Sequence, residues 1–190
     1  MPRTETLTEQ LGQWRAWLAR LDLPSAPLLL PGRSRAEIEA ALGPGIPDAV
    51  VEWFACCDGV ADAPGQTVDE AYTMPWYWHA SLDEALAVKA AHSGGDDPLL
   101  AGAWLPLLVC CGTDLYAAVW TDGAEPAVAA VLPEAGPAAI EFDSIAQLAA
   151  VVNACFANGA FHRDAAGHLD LDDDRYEQAY QAVVGRPVPG

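Results

Sequence analysis

Gly43-Pro44-Gly45-Ile46-Pro47-Asp48-Ala49-Val50-Val51-Glu52-Trp53-Phe54-Ala55-Cys56-Cys57-Asp58-Gly59 reads as a short helix with one apolar face and a marked stop. Pro47 suits the first helical turn, where no amide partner is needed. Val50, Trp53, Phe54 and Cys57 recur at spacings of three and four, so they share one side of the helix. Gly59 suits the left-handed turn that ends a helix. The segment carries no obvious reactive chemistry. It is a packing unit, and the rest of the chain is read around it.

Helix starts are marked on both sides by Ser or Thr followed three residues on by an acid or amide, the capping-box pattern. Thr6-Leu7-Thr8-Glu9 opens a helix to about Leu21, with Leu7, Leu11, Trp14, Leu18 and Leu21 on one stripe. Ser34-Arg35-Ala36-Glu37 opens one to about Leu42, and Ser81-Leu82-Asp83-Glu84 one to about His92, using Leu82, Ala85, Leu86 and Lys89. Ser144-Ile145-Ala146-Gln147 opens a longer one with Ile145, Leu148, Val152, Cys155 and Phe156 inward. Between them, 72–79, 103–111, 115–121, 128–132 and 138–142 read as strands. Gly112-Thr113-Asp114 and Thr121-Asp122-Gly123 supply turn chemistry, with Asp114 expected to cap backbone amides. Short turns imply antiparallel pairing. Helices before and after a block of strands give the class α+β: a single domain with a mainly antiparallel central sheet. Ala165-Ala166-Gly167 marks the turn of a late hairpin flanked by His162 and His168, and a last helix is expected over 173–184.

The order of these signals resembles the SUKH superfamily, the fold of yeast cell-wall-assembly and killer-toxin-resistance regulators and of many bacterial toxin-immunity proteins. In that family a first helix leads through Gly-x-x-(Leu/Ile)-Pro into a second helix ending in Asn-Gly. Here Asp58 stands for the Asn. A Trp-x-Pro hairpin followed by Gly-Asp is matched by Trp104-Leu105-Pro106 and Gly112-Thr113-Asp114, and the late Ser-led helix by Ser144-Ile145-Ala146-Gln147-Leu148. The resemblance covers about 33–159. The helix over 6–21 and the hairpin and helix of 160–190 are additions to it. It implies a non-catalytic domain that binds a protein, most simply an immunity protein neutralising a cognate toxin, often a nuclease. A regulatory scaffold without a toxin partner is the alternative, and an uncharacterised thiol enzyme a third.

The chain has 190 residues and a net charge of −18. A domain of that length buries roughly 70% of its unfolded surface and needs no disulfides. No apolar run of 18 or more residues exists, so no membrane span is expected. The start of the chain has no signal-peptide pattern, so a cytoplasmic location is expected. Between Arg35 and Arg163 the one basic side chain is Lys89, against 18 Asp and Glu residues. That field repels nucleic acid and anionic lipid and attracts a basic protein, the toxin domain that the resemblance suggests.

Candidate partner-binding residues are the aromatic pair Trp76 and Tyr77 with the loop acids Asp58, Asp62, Asp69, Glu70, Asp96 and Asp97. Read as a strand, Met74-Pro75-Trp76-Tyr77-Trp78-His79 puts Trp76 and Trp78 on one face and Tyr77 and His79 on the other. Trp and Tyr are common interface anchors. Cys56, Cys57, Cys110, Cys111 and Cys155 show no CxxC spacing and lie in apolar stretches without a neighbouring Lys or Arg. They read as buried small hydrophobes with raised thiol pKa and poor nucleophilicity. Asp170-Leu171-Asp172-Asp173-Asp174 begins like a calcium loop but has Arg175 where Gly belongs and Gln181 where Glu belongs. No cofactor, metal or catalytic residue is expected.

Overall fold

The computed structural model describes residues 5–92 and 97–188. Helix α1 (Leu7–Arg20) starts where its box forms in full: Thr6 accepts the Glu9 amide, and Glu9 accepts the Thr6 amide at 2.8 Å. Ser34 and Glu37 do the same for α2 (Arg35–Leu42). The 43–59 stretch then yields α3 (Asp48–Cys56), which buries Val50, Trp53 and Phe54. Pro47 sits one place before the first helical residue, in extended conformation. The expected stop is displaced. The helix ends at Cys56, and Cys57 opens strand β2 (Cys57–Val60), which pairs antiparallel with β1 (Leu29–Pro31). Gly59 does take φ +89°, but inside β2, where a Cβ would lie 2.8 Å from the Ser81 amide nitrogen. Its role is close approach of two chain segments.

The main sheet contains β3 (Trp78–His79), β4 (Ala103–Val109), β5 (Leu115–Trp120), β6 (Ala127–Val131) and β7 (Ala139–Phe142), in that order and antiparallel throughout. Helix α4 (Leu82–Ala91) links β3 to β4. Helix α5 (Ile145–Asn158), a hairpin of β8 (Phe161–Arg163) and β9 (Leu169–Leu171), and α6 (Asp173–Val184) complete the α+β fold. The four later strands follow the expected segments within two residues. The first does not: of 72–79 only Trp78 and His79 are strand. Met74 and Tyr77 exchange amide–carbonyl bonds at 3.1 and 2.9 Å across a tight turn, with Trp76 at φ +68°.

Register separates the two faces. His79, Leu108, Tyr116, Ala130 and Ala139 form one cross-strand row; Trp104, Val119 and Ala127 point the other way. Two strands carry one extra residue, Leu107 in β4 and Glu141 in β7, each a bulge that re-aims its neighbours. Helix α4 covers the Trp104 face, with the His92 ring 6.0 Å and the Lys89 ammonium 5.8 Å from the Trp104 ring. Helices α1 and α3 cover the other. There His79 lies 4.7 Å from Trp14 and stacks 4.6 Å from Trp53. The His79 ring meets the Thr73 hydroxyl at 2.8 Å, and the Trp14 indole donates to the Thr73 carbonyl at 2.8 Å. Burial holds His79 neutral, down to about 3. Helix α5 packs on α1 through Trp17 and Phe156, and α6 reaches the sheet through Tyr180 against Phe142. One core thus runs from Leu7 to Tyr180, and α1 and α6 share it with the 33–159 segment.

Candidate interaction surface

The tight turn decides what Trp76 and Tyr77 can offer. Trp76 is 55% exposed on a backbone that a bulky residue rarely adopts, held there by the Met74–Tyr77 bonds. Tyr77 turns inward, 5.1 Å from Tyr116, and burial with nearby Asp114 pushes its hydroxyl well above the usual range. Sequence alternation had split Trp76 from Tyr77 correctly, but for the wrong geometry.

The acids separate just as clearly. Asp58 is a brace: one carboxylate oxygen accepts the Leu82 amide at the start of α4 (2.8 Å) and the other holds Arg33 (2.7 Å). Asp97 is another, accepting the Leu99 amide at 2.9 Å and the Ala138 amide at 2.6 Å. Each of these two side chains thus holds chain segments together with both of its oxygens. Glu70 closes a capping box on the Thr67 amide, and Asp69 pairs with His168 at 3.0 Å. Asp62 is exposed and makes no hydrogen bond or ion pair among the described residues. Asp96 lies outside the described residues.

What the sequence reading missed is a pair of neighbouring clefts. The 61–71 loop stands off β2 and β3 and encloses about 280 Å³ against Val60, Asp62, Val68, Trp78 and Glu84. A second cleft of about 260 Å³ runs along α4 past Glu84, Val88, His92, Cys110 and Asp114. Glu84 belongs to both. Ser81 accepts its amide at 3.1 Å as the capping pattern predicts, but the Glu84 carboxylate turns away to the Trp78 indole N–H at 3.3 Å. Asp62 and Glu84 thus line the first cleft with Val60, Val68 and Trp78, and Glu84 and Asp114 line the second with Val88 and Val109. Asp114 lines the cleft, while the Cys110 sulfur takes the Gly112 amide at 3.1 Å. The loop role expected of Asp114 has gone to a thiol.

The cysteines divide in a way composition did not show. Cys57 and Cys155 are buried and pushed up to about 11 and about 12, chiefly by desolvation. Cys56 is raised less, and an arginine is close after all: Arg15 donates to its carbonyl at 3.0 Å. Cys111 is exposed, and Cys110 partly so. Among the described residues no three His, Cys, Asp or Glu side chains converge as metal ligands, and no helix is long and apolar enough to cross a membrane.

The described cations are nearly all consumed within the molecule. Arg33, Arg35, Arg163 and Arg175 sit in ion pairs. Arg20 and Lys89 lie over Trp17 and Trp104, and Arg186 bonds the Glu141 carbonyl. The acidic field is left uncompensated outside. No protein-family model matches the chain, and no curated protein matches it either.

Proposed function

We propose that this chain is a non-catalytic binding domain of the SUKH type, an immunity protein that docks a basic toxin domain on the acidic face around Asp62, Glu84 and Asp114, with Trp76 as the aromatic anchor beside it. The observation that carries the reading is the pair of carboxylate-rimmed clefts that share Glu84, on a molecule whose described cations are engaged by its own acids, rings and carbonyls. Such a surface steers a basic partner and repels nucleic acid and anionic lipid. The order of elements supports it: α2 and α3, the Trp104 hairpin and the Ser144-led α5 fall in the sequence that the resemblance implies. The proposed place is the cytoplasm, where a toxin would act.

The test is co-expression with the toxic product of a neighbouring reading frame in a sensitive bacterium. Restored growth, with purified proteins binding more weakly as NaCl rises from 50 to 500 mM, is expected. Trp76→Ala should weaken that binding about tenfold or more, and Glu84→Lys likewise. Persistent toxicity beside this chain, or affinity indifferent to salt, sinks the reading.

A further inference from the structure

Glu141 is the residue that the interaction surface does not use. It is the extra residue of the β7 bulge and is 6% exposed. Burial lifts its carboxyl to about 6, while hydrogen bonds from Tyr116 and Tyr176 and the nearby Arg186 guanidinium pull the other way. The Arg186 bond, at 2.7 Å, goes to the Glu141 backbone carbonyl, as does that of Tyr180 at 3.2 Å. Among the described residues the carboxylate is in no ion pair. A buried carboxylate outside a direct ion pair is costly.

Beside it the sheet is hollow. The row Tyr116–Ala130–Ala139 has a large ring followed by two methyl groups, and the small residues leave a cleft of about 270 Å³. Leu132, Pro137 and Ile140 wall it, and Glu141 is its one ionisable lining group. Ala139 is exposed, so the cleft is open at that end. An apolar channel with one buried carboxylate that makes no direct ion pair among the described residues points to its ligand: a straight alkyl chain ending in a cation.

We propose that the cleft beside Glu141 binds an alkylammonium group, carried either by a lysine side chain of a protein partner or by a free primary amine. The alkyl chain lies along Ala130, Leu132 and Ala139, and the ammonium makes the direct ion pair that Glu141 does not make with any described residue. The site is separate from the Asp62–Glu84–Asp114 clefts, so it stands even if the toxin reading falls. The groups facing Glu141 are Tyr77 from the turn, Tyr116 from β5, Tyr176 and Tyr180 from α6, and Arg186. Burial raises all four hydroxyls above their usual range, so they remain neutral donors below pH 8.

The experiment titrates n-pentylamine, 1-pentanol and Nα-acetyl-lysine methylamide into the full chain, followed by amide chemical shifts at pH 7.5 and pH 5. Saturable shifts centred on Ala130, Ala139 and Glu141 are expected for an amine, at least tenfold tighter than for the alcohol. Affinity should fall about tenfold at pH 5, where the carboxylate takes up a proton. Binding of the lysine amide as tight as that of pentylamine assigns a protein lysine as the source; binding of pentylamine alone assigns a free amine. Glu141→Gln should erase both the preference for amine over alcohol and the pH dependence. Ala139→Phe, at the open end of the cleft, should block all binding without touching the carboxylate. No amine binding, equal binding of the alcohol, or amine binding unchanged in Glu141→Gln overturns the proposal.

Discussion

His79 and Glu141 are buried titratable groups whose environments push stability in opposite directions with pH. The folded His79 takes a proton only near pH 3, whereas the unfolded ring does so near 6.5. Its contribution is therefore complete above 6.5 and is lost as pH falls, by about 1.4 kcal/mol per pH unit. The folded Glu141 carboxyl takes its proton near 6, against 4.5 for an ordinary glutamate. Its contribution is complete below 4.5 and is lost as pH rises through 6. Between 4.5 and 6 the two nearly offset each other. Urea denaturation at pH 7, 6, 5 and 4.5 should show a shallow profile for the natural protein. The loss toward acid should be steeper for Glu141→Gln, and stability should rise toward pH 4.5 for His79→Phe, which keeps the stack on Trp53. Three parallel profiles would disprove both assignments. The thiols give a second residue-scale outcome. Brief alkylation of the native protein should label Cys111 first and spare Cys57 and Cys155 until denaturant is added, as peptide mass spectrometry would read. Early labelling of Cys155 would contradict its burial.

At the scale of elements, the junctions around Asp58 matter most. This one side chain ties β2 to the start of α4 and to Arg33, and its side chain is 15% exposed. Asp58→Ala should cost about 2–3 kcal/mol, from a lost helix cap and an arginine left without one of its two partners. Asp58→Asn keeps an oxygen for the Leu82 amide and should cost about 1 kcal/mol or less; equal losses for the two variants would show that the cap contributes nothing. Two glycines make neighbouring junctions possible. A Cβ on Gly32 would fall 1.9 Å from the Ala55 carbonyl oxygen, and one on Gly59 2.8 Å from the Ser81 nitrogen. Either Gly→Ala change should cost about 2 kcal/mol or more by thermal melting, because backbone rather than a flexible side chain must yield. These junctions explain what was legible. Periodicity and caps fixed α1, α2, α5, α6 and the strands over 103–142, because their signals are local. The stop after α3 was misplaced because Gly59 answers to Ser81, a partner 22 residues away. The 72–79 strand failed because Trp76 takes a left-handed turn that no local rule assigns to tryptophan. In the same way Asp58 and Asp97 could not be told from Asp62 until their amide partners were known, and the clefts that share Glu84 exist only once α4 lies beside the 61–71 loop.

The whole molecule is governed by its charge. It carries 27 acids against 9 lysines and arginines, and its described cations are spent on ion pairs, aromatic rings and carbonyls. The surplus acids repel one another in the folded state more than in the expanded chain. Salt has two effects here. It weakens the exposed ion pairs, each worth about 1 kcal/mol or less, and it screens the repulsion among many unpaired carboxylates, whose range shrinks from about 30 Å at 0.01 M to about 3 Å at 1 M. With three acids for every lysine or arginine, the second effect wins. Raising NaCl from 10 to 500 mM should therefore raise the melting temperature, by about 2–4 °C for each 1 kcal/mol recovered. The same salt should weaken docking of a basic partner, because both effects come from one field. A melting temperature that falls while binding also weakens would mean that the ion pairs, not the repulsion, set the stability. Affinity that holds while the melting temperature rises would place the partner on apolar contacts at Trp76 and Val68 rather than on the rim of Asp62, Glu84 and Asp114.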